Sequence, residues 1–415
     1  VAAPGVETED LAATPAFRAV VAGLNLAERL TPKRFPAHDP AALMRAARVS
    51  PPPGAIQGLV ELHDSLAAES ELTMFGRLSV RWDFIRLLKN AELVLSAHRE
   101  NPALAAPVPA PIFILGLPRS GTTFLHALLA EDAGNLVPRN WQTIYPAPRP
   151  PDFSPAHHAR ARKVDRQLKL FAGLAPEFPA VHPVTADSPQ ECSEITAHVF
   201  QSLRFDTTFR VPAYRSWLDA RGHGEAFAFH KQFLQLLQAG QPGRWVLKCP
   251  DHIFSMDAIL QTYPDARFIV VHRDPVRVFG SVAHLTGILR RPFVKNVDPA
   301  DIGAQVTERW IEGAERLVAF DRREDLPGTR KIHIHYHDLV GNPEAMVERI
   351  YGHFGLPESA RARAAMRAFL AARPRGGYGG QRRYALGKFG INPDSLGPRF
   401  AGYLDYFGIV PQAAA

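Results

Sequence analysis

Cysteine is nearly absent from this 415-residue chain: only Cys192 and Cys249 occur. They show neither the paired spacing of a zinc site nor the density of a disulfide framework. No metal is therefore expected, and a reducing, cytoplasmic compartment fits best. Long apolar runs are missing too, since none approaches the roughly 18 residues of a membrane-crossing helix. The opening stretch VAAPGVETED lacks the basic and apolar regions of a secretory leader. Lys and Arg never gather into a dense run, which argues against a nucleic-acid-binding arm. There is no internal repeat and no low-complexity tract.

What is present is ample core material, 46% hydrophobic residues, with 21% charged residues and a formal charge of +7. That balance favours an anionic partner, such as a polyphosphorylated small molecule or an acidic membrane surface. Residues 1–105 read as a helical region packed on the core. Leu62, Leu66 and Ala67 keep helical spacing, as do Leu78, Trp82, Ile85, Leu88 and Leu95. The segment AAPVPAP (105–111) ends that pattern. Residues 106–415 then form an α/β domain. Apolar runs stand at Ile112–Leu115, Trp245–Leu247, Phe268–Val271 and Ile332–Tyr336, each followed by a helical stretch. This order predicts a parallel sheet with crossover helices. A helical insert occupies about 140–243, and a Gly- and Arg-rich tail follows Ala372.

The strongest local signal is PIFILGLPRSGTTFLHALL, 111–129. An apolar strand ends at Gly116, a turn carries Pro118 and Gly121, and Thr122 and Thr123 open an apolar helix. Gly116-x-x-x-x-Gly121-Thr122-Thr123 has the spacing of a P-loop. Glycine lets backbone N–H groups face one anion at a positive helix terminus, and Ser120, Thr122 and Thr123 add hydroxyl donors. A nucleotide-hydrolysing P-loop needs Lys where Thr122 stands and a neighbouring hydroxyl on Mg²⁺. Here the loop cation is Arg119. The loop suits a metal-free ligand held by hydrogen bonds and Arg, and the expected fold is a P-loop-like parallel β-sheet flanked by helices.

Pro118-Arg119-Ser120-Gly121-Thr122-Thr123 resembles the 5′-phosphosulfate loop of the sulfotransferase superfamily, in its bacterial-type branch. The resemblance implies sulfonate transfer from 3′-phosphoadenosine 5′-phosphosulfate (PAPS), a co-substrate, onto the hydroxyl of a small-molecule or lipid-like acceptor. It implies no nucleic-acid partner and allows peripheral membrane contact. FIVVHRDPVRVFGSVAHL (268–285) supplies Arg273 at a strand end and Ser281 eight residues later, about two turns into the next helix. In the family, an Arg and a Ser at this spacing hold the 3′-phosphate. Arg375, Gly376 and Arg382 match a tail element that covers the nucleotide.

The same resemblance orders the chemistry. Lys248, at the end of its strand, matches the lysine that contacts the transferring sulfonate, and Arg119 takes the slot of the loop cation. His252 stands two residues away from the position of a catalytic His in the cytosolic branch. Glu191 matches a carboxylate of the Pro-Glu-Glu-Cys element, with Glu194 at i+3 and His182 upstream. His252 and Glu191 are thus rival general bases. A third route seen in the branch, a Trp-Glu pair, reads Trp141-Gln142 here and cannot accept a proton. The apolar segments 71–90 and 200–218 are candidates for lining an acceptor pocket. Two other functions stay open at this point: a P-loop kinase or NTPase, and a catalytically silent nucleotide-binding protein.

Overall fold

The computed structural model describes residues 15–30, 39–277, 279–372 and 386–410. Arg375, Gly376 and Arg382 lie outside the described residues. Among those described, five strands form one parallel sheet in the order β2-β3-β1-β4-β5. They are β1 (Ile112–Leu115), β2 (Asn135–Leu136), β3 (Arg244–Lys248), β4 (Arg267–His272) and β5 (Lys331–His335). The four apolar runs expected from sequence are β1, β3, β4 and β5. The two-residue β2 carries no apolar run, and it pairs with the start of β3 at Asn135↔Arg244.

Alternation along the strands gives the sheet two buried faces. Phe113 and Leu115 of β1, Leu247 of β3 and Phe268 of β4 join one apolar cluster. Ile112 and Ile114, Val246, Ile269 and Ile332 join another. The first face carries the N-terminal helices α2 (Pro40–Ala47), α3 (Pro53–Glu69) and α4 (Met74–Glu100) through Leu43, Leu59, Leu62 and Phe84, and much of the insert. The second face carries α5 (Thr122–Leu129), through Leu125 and Leu128, and the helix Pro343–Phe354. Helices on both faces of a parallel sheet make a doubly wound α/β fold. Helix α1 (Pro15–Leu30) precedes this assembly.

In α4 the buried arc is Val80, Phe84, Leu87, Leu88, Ala91 and Val94. Of the residues noted at helical spacing only Leu88 is fully buried, and Trp82 is 52% exposed. The helix runs 27 residues and packs on several neighbours, so its buried side follows those partners more than a single stripe. Asp83 of α4 pairs with Arg204 of the insert and, at 2.6 Å, with Arg86. Breaking such a largely buried pair costs about 3–5 kcal/mol, which ties α4 to the insert. The segments 71–90 and 200–218 meet in this core, where Phe84 stacks edge-on against Phe200 and Phe205. No helix among the described residues is long and apolar enough to cross a membrane.

Candidate active site

In an open parallel sheet the ligand crevice lies beyond the C-terminal strand ends, where the connections change direction. Here β1 is that point: the chain goes from it toward β2 and β3, then returns past it to β4 and β5. The Gly116–Gly121 loop leaves β1 there. Its backbone is unusual: Gly116, Arg119 and Gly121 all have positive φ, 150°, 65° and 95°. A Cβ on Gly116 would meet the Val271 carbonyl at 2.5 Å, and one on Gly121 the Tyr336 ring at 2.9 Å. Both glycines are thus required by close approach as well as by φ. Ser120 is 1% exposed, and its Oγ has no hydrogen-bond partner among the described residues.

Arg273 follows β4, and its Nη1 donates to the Arg119 carbonyl at 2.8 Å. Its guanidinium lies 3.9 Å from the ring centre of Tyr336. This one contact joins the Gly116–Gly121 loop and the segment after β4 at a single edge of the sheet. The next segment differs from the expected two turns of helix. A 3-10 turn spans Pro275–Arg277, and the α-helix is described from Phe279 to Arg290. Ser281 therefore sits in the first helical turn. It is buried, and its Oγ also lacks a partner among the described residues. Buried hydroxyls are normally hydrogen-bonded, so these two are available to an anionic ligand.

Lys248 ends β3 on the same face as α5. Its Nζ donates to Thr123 Oγ1 at 3.1 Å and is paired with Glu191. The pair is anchored from behind, since the Cys192 N–H donates to the Lys248 carbonyl at 3.2 Å. Burial works to raise the Glu191 pKa, but the Lys248 charge and hydrogen bond, with help from His182 and Cys249, outweigh it. The carboxyl titrates below its ordinary value. His182, on the loop after the short helix Phe178–Val181, is pushed down to about 4 by burial; Lys248 and Arg119 lower it further, while Glu191 acts against them. Arg119 Nη1 donates to the Val181 carbonyl at 3.4 Å. Arg119, Thr123, Glu191, Lys248 and His182 thus form one polar cluster beside the phosphate loop.

His252 is not part of that hydrogen-bonded cluster. Strand alternation and the turn Pro250–Phe254 send it to the other face of the sheet. There its ring packs edge-on against Phe113 at 5.1 Å, 2% exposed, with neither nitrogen hydrogen-bonded among the described residues. Burial holds it neutral, well below the ordinary histidine range. Glu194 is also committed elsewhere, pairing with Arg204 at 2.6 Å. Gln142 closes its own helix: its Oε1 accepts from the Arg139 N–H at 3.1 Å, and its Nε2 donates to the Ala147 carbonyl.

Two residues of this region carried no notice in the sequence. Tyr336 packs on Arg273 and Gly121, and its place directly after β5 was the available signal. His126 of α5 meets the Val246 carbonyl at 3.0 Å, and burial pushes it down to about 3, with Lys248 nearby. Nothing in an apolar helix marks that histidine in advance.

Known proteins resemble this chain in sequence and in fold. The profile of the Sulfotransferase family matches residues 111–360. An omega-hydroxy-beta-dihydromenaquinone-9 sulfotransferase of Mycobacterium tuberculosis is 27% identical over 272 residues, spanning 63% of this chain and 66% of that relative. The crystal structure of sulfotransferase STF9 from Mycobacterium avium superposes with a TM-score of 0.80 at 28% identity, covering 89% of this chain and 96% of its own. Sulfotransferase STF1 from Mycobacterium tuberculosis H37Rv gives 0.77 at 28% identity, covering 88% and 97%.

Proposed function

This chain belongs to the sulfotransferase family, and from that premise we propose that it transfers the sulfonate group of PAPS to the hydroxyl of an apolar, lipid-like acceptor. The observation that carries the reading is the Lys248–Glu191–Thr123 cluster beside a phosphate loop whose buried Ser120 hydroxyl has no partner among the described residues. The lipid-like acceptor is suggested by the relative that acts on a dihydromenaquinone derivative, as its name states.

The roles follow from chemistry. The loop 118–123 receives the 5′-phosphosulfate through backbone N–H groups and the Ser120, Thr122 and Thr123 hydroxyls, with Arg119 as counter-charge. Arg273 and Ser281 receive the 3′-phosphate, with Arg375, Gly376 and Arg382 as the remaining nucleotide contacts. Lys248 neutralises the charge that builds on the bridging oxygen as the S–O bond breaks, so its contribution grows in the transition state. Glu191 is the stronger candidate to take the acceptor proton, because it touches Lys248 whereas His252 faces away. To act, Glu191 must exchange its Lys248 contact for the acceptor hydroxyl, and Lys248 must turn to the sulfonate. One rearrangement would then ready both groups.

The test is thermal stabilisation with EDTA present. Adenosine 3′,5′-bisphosphate should raise Tm there, while ATP with Mg²⁺ should not do so in a parallel series without EDTA. A preference for ATP, or a bisphosphate effect that EDTA abolishes, would overturn the reading. Labelled PAPS offered with a set of long-chain and isoprenoid alcohols then tests the acceptor class.

A further inference from the structure

Behind the Lys248–Glu191 pair lies a small cavity of about 20 Å³, lined among others by Cys192, His223, Cys249, Asp251 and His252. The Cys249 thiol stands between two carboxylates. Its Sγ is 3.9 Å from Glu191 Oε2 and 3.7 Å from Asp251 Oδ2. A thiol has one proton to donate, so it can serve only one of the two at a time. Asp251 has no ion pair among the described residues, and it takes no part in the chemistry outlined above.

We infer that Asp251 is a positioning residue which, through the Cys249 thiol, forms a coupled acid pair with Glu191 and sets its basicity. This rests on Glu191 being the base. The surroundings of Asp251 favour such coupling. The charge of Arg309 acts to lower it, but Arg309 is already engaged by Asp219 at 2.8 Å and Glu312 at 3.1 Å. Asp206 adds a like charge. His223 and His252, in the same cavity, are held neutral by burial, and burial raises both thiols. Burial first, then the charge of Glu191, raise Asp251 to about 7.

The consequence has a definite sign. Below that pH Asp251 is neutral, and Glu191 is dominated by Lys248 and is a weak base. Above it a second negative charge faces Glu191, which favours its protonated form and makes it a stronger base. Turnover with an alcohol should therefore rise as pH passes through neutrality, by roughly three- to tenfold.

The pair can be read without an acceptor. In the infrared spectrum of the full chain, a protonated-carboxyl C=O band should disappear as pH rises through neutrality. Asp251→Asn should lack that band. Glu191→Gln removes the like charge, so the band should titrate at lower pH. Cys249→Ala, which deletes the shared thiol, should shift the band as well, and it carries the test if Asp251→Asn does not fold. Absence of the band from the unaltered protein, or a band indifferent to both Glu191→Gln and Cys249→Ala, overturns the pair. The rate arm is separate: Asp251→Asn should flatten the neutral-pH rise, and Asp251→Glu should restore an inflection. A Glu191→Gln protein that still turns over while shifting the band would sink Glu191 as base, yet leave the carboxylate coupling standing.

Discussion

The phosphate-loop region keeps two buried hydroxyls open, whereas the Lys248–Glu191 region beside it keeps its charges closed on one another. Ser120 and Ser281 point buried hydroxyls at no partner among the described residues. Lys248 and Glu191 satisfy each other, and Lys248 also reaches Thr123 at 3.1 Å. An open donor array suits a ligand whose charge is the same before and after binding. A closed ion pair suits charges that are needed only when a bond is breaking, because it stays satisfied until then. Perturbing the closed side should therefore act on rate, and perturbing the open side on affinity.

The largest effects fall on the closed side. Lys248→Ala and Glu191→Gln should each lower single-turnover sulfonate transfer by about 10²–10³. Affinity for adenosine 3′,5′-bisphosphate, measured by calorimetry, should change little. A parallel loss of affinity would make the pair a ground-state clamp and erase the contrast.

On the open side, Arg273→Ala should weaken adenosine 3′,5′-bisphosphate binding by about 1.5–3 kcal/mol. Binding of adenosine 5′-monophosphate should be almost unaffected. Because Arg273 also holds the Arg119 carbonyl at 2.8 Å, an equal loss for both nucleotides would assign it to loop support instead. Ser281→Ala should give a smaller loss, about 0.5–1.5 kcal/mol, without lowering the stability of the ligand-free protein. Its hydroxyl has no described partner to lose.

The same contrast explains which parts could be read from sequence. The open side is local: strand, glycine turn and helix follow one another from Ile112 to Leu129, and Arg273 follows its strand directly. Four of the five described strands were visible as apolar runs. Asn135–Leu136 was not, because two residues at a sheet edge leave no hydrophobic pattern. The closed side joins residues 57 apart, and no periodicity predicts that encounter. Glu191 entered as a candidate only through family resemblance. The spacing of Leu78, Trp82, Ile85, Leu88 and Leu95 marked the helix α4 but not its buried side, because a pattern in sequence does not say how many neighbours a long helix will have. The place of Ser281 shifted because Pro275 starts a 3-10 turn before the helix proper.

His252 gives the smallest expected effect and the sharpest discrimination between the two faces of β3. It lies four residues beyond Lys248 in sequence, but its imidazole packs on Phe113 with both nitrogens lacking described partners. Replacing such a group with an apolar one of similar size removes a desolvated polar ring. His252→Leu should thus change stability by less than about 1.5 kcal/mol, and single-turnover rate by less than about threefold. The pH dependence has a sign as well. Burial holds His252 neutral in the folded chain, well below its ordinary value, with His230, Lys248 and His126 adding to the shift. The unfolded chain binds its proton near pH 6.5. The stability linked to this depressed pKa is present above that pH and is lost as pH falls below it. His252→Leu should therefore show a shallower fall of Tm between about pH 6.5 and 5 than the unaltered protein. A rate collapse comparable with that of Glu191→Gln, partly recovered with an acidic phenol as acceptor, would instead return the base to His252 and require that face of the sheet to open during the reaction.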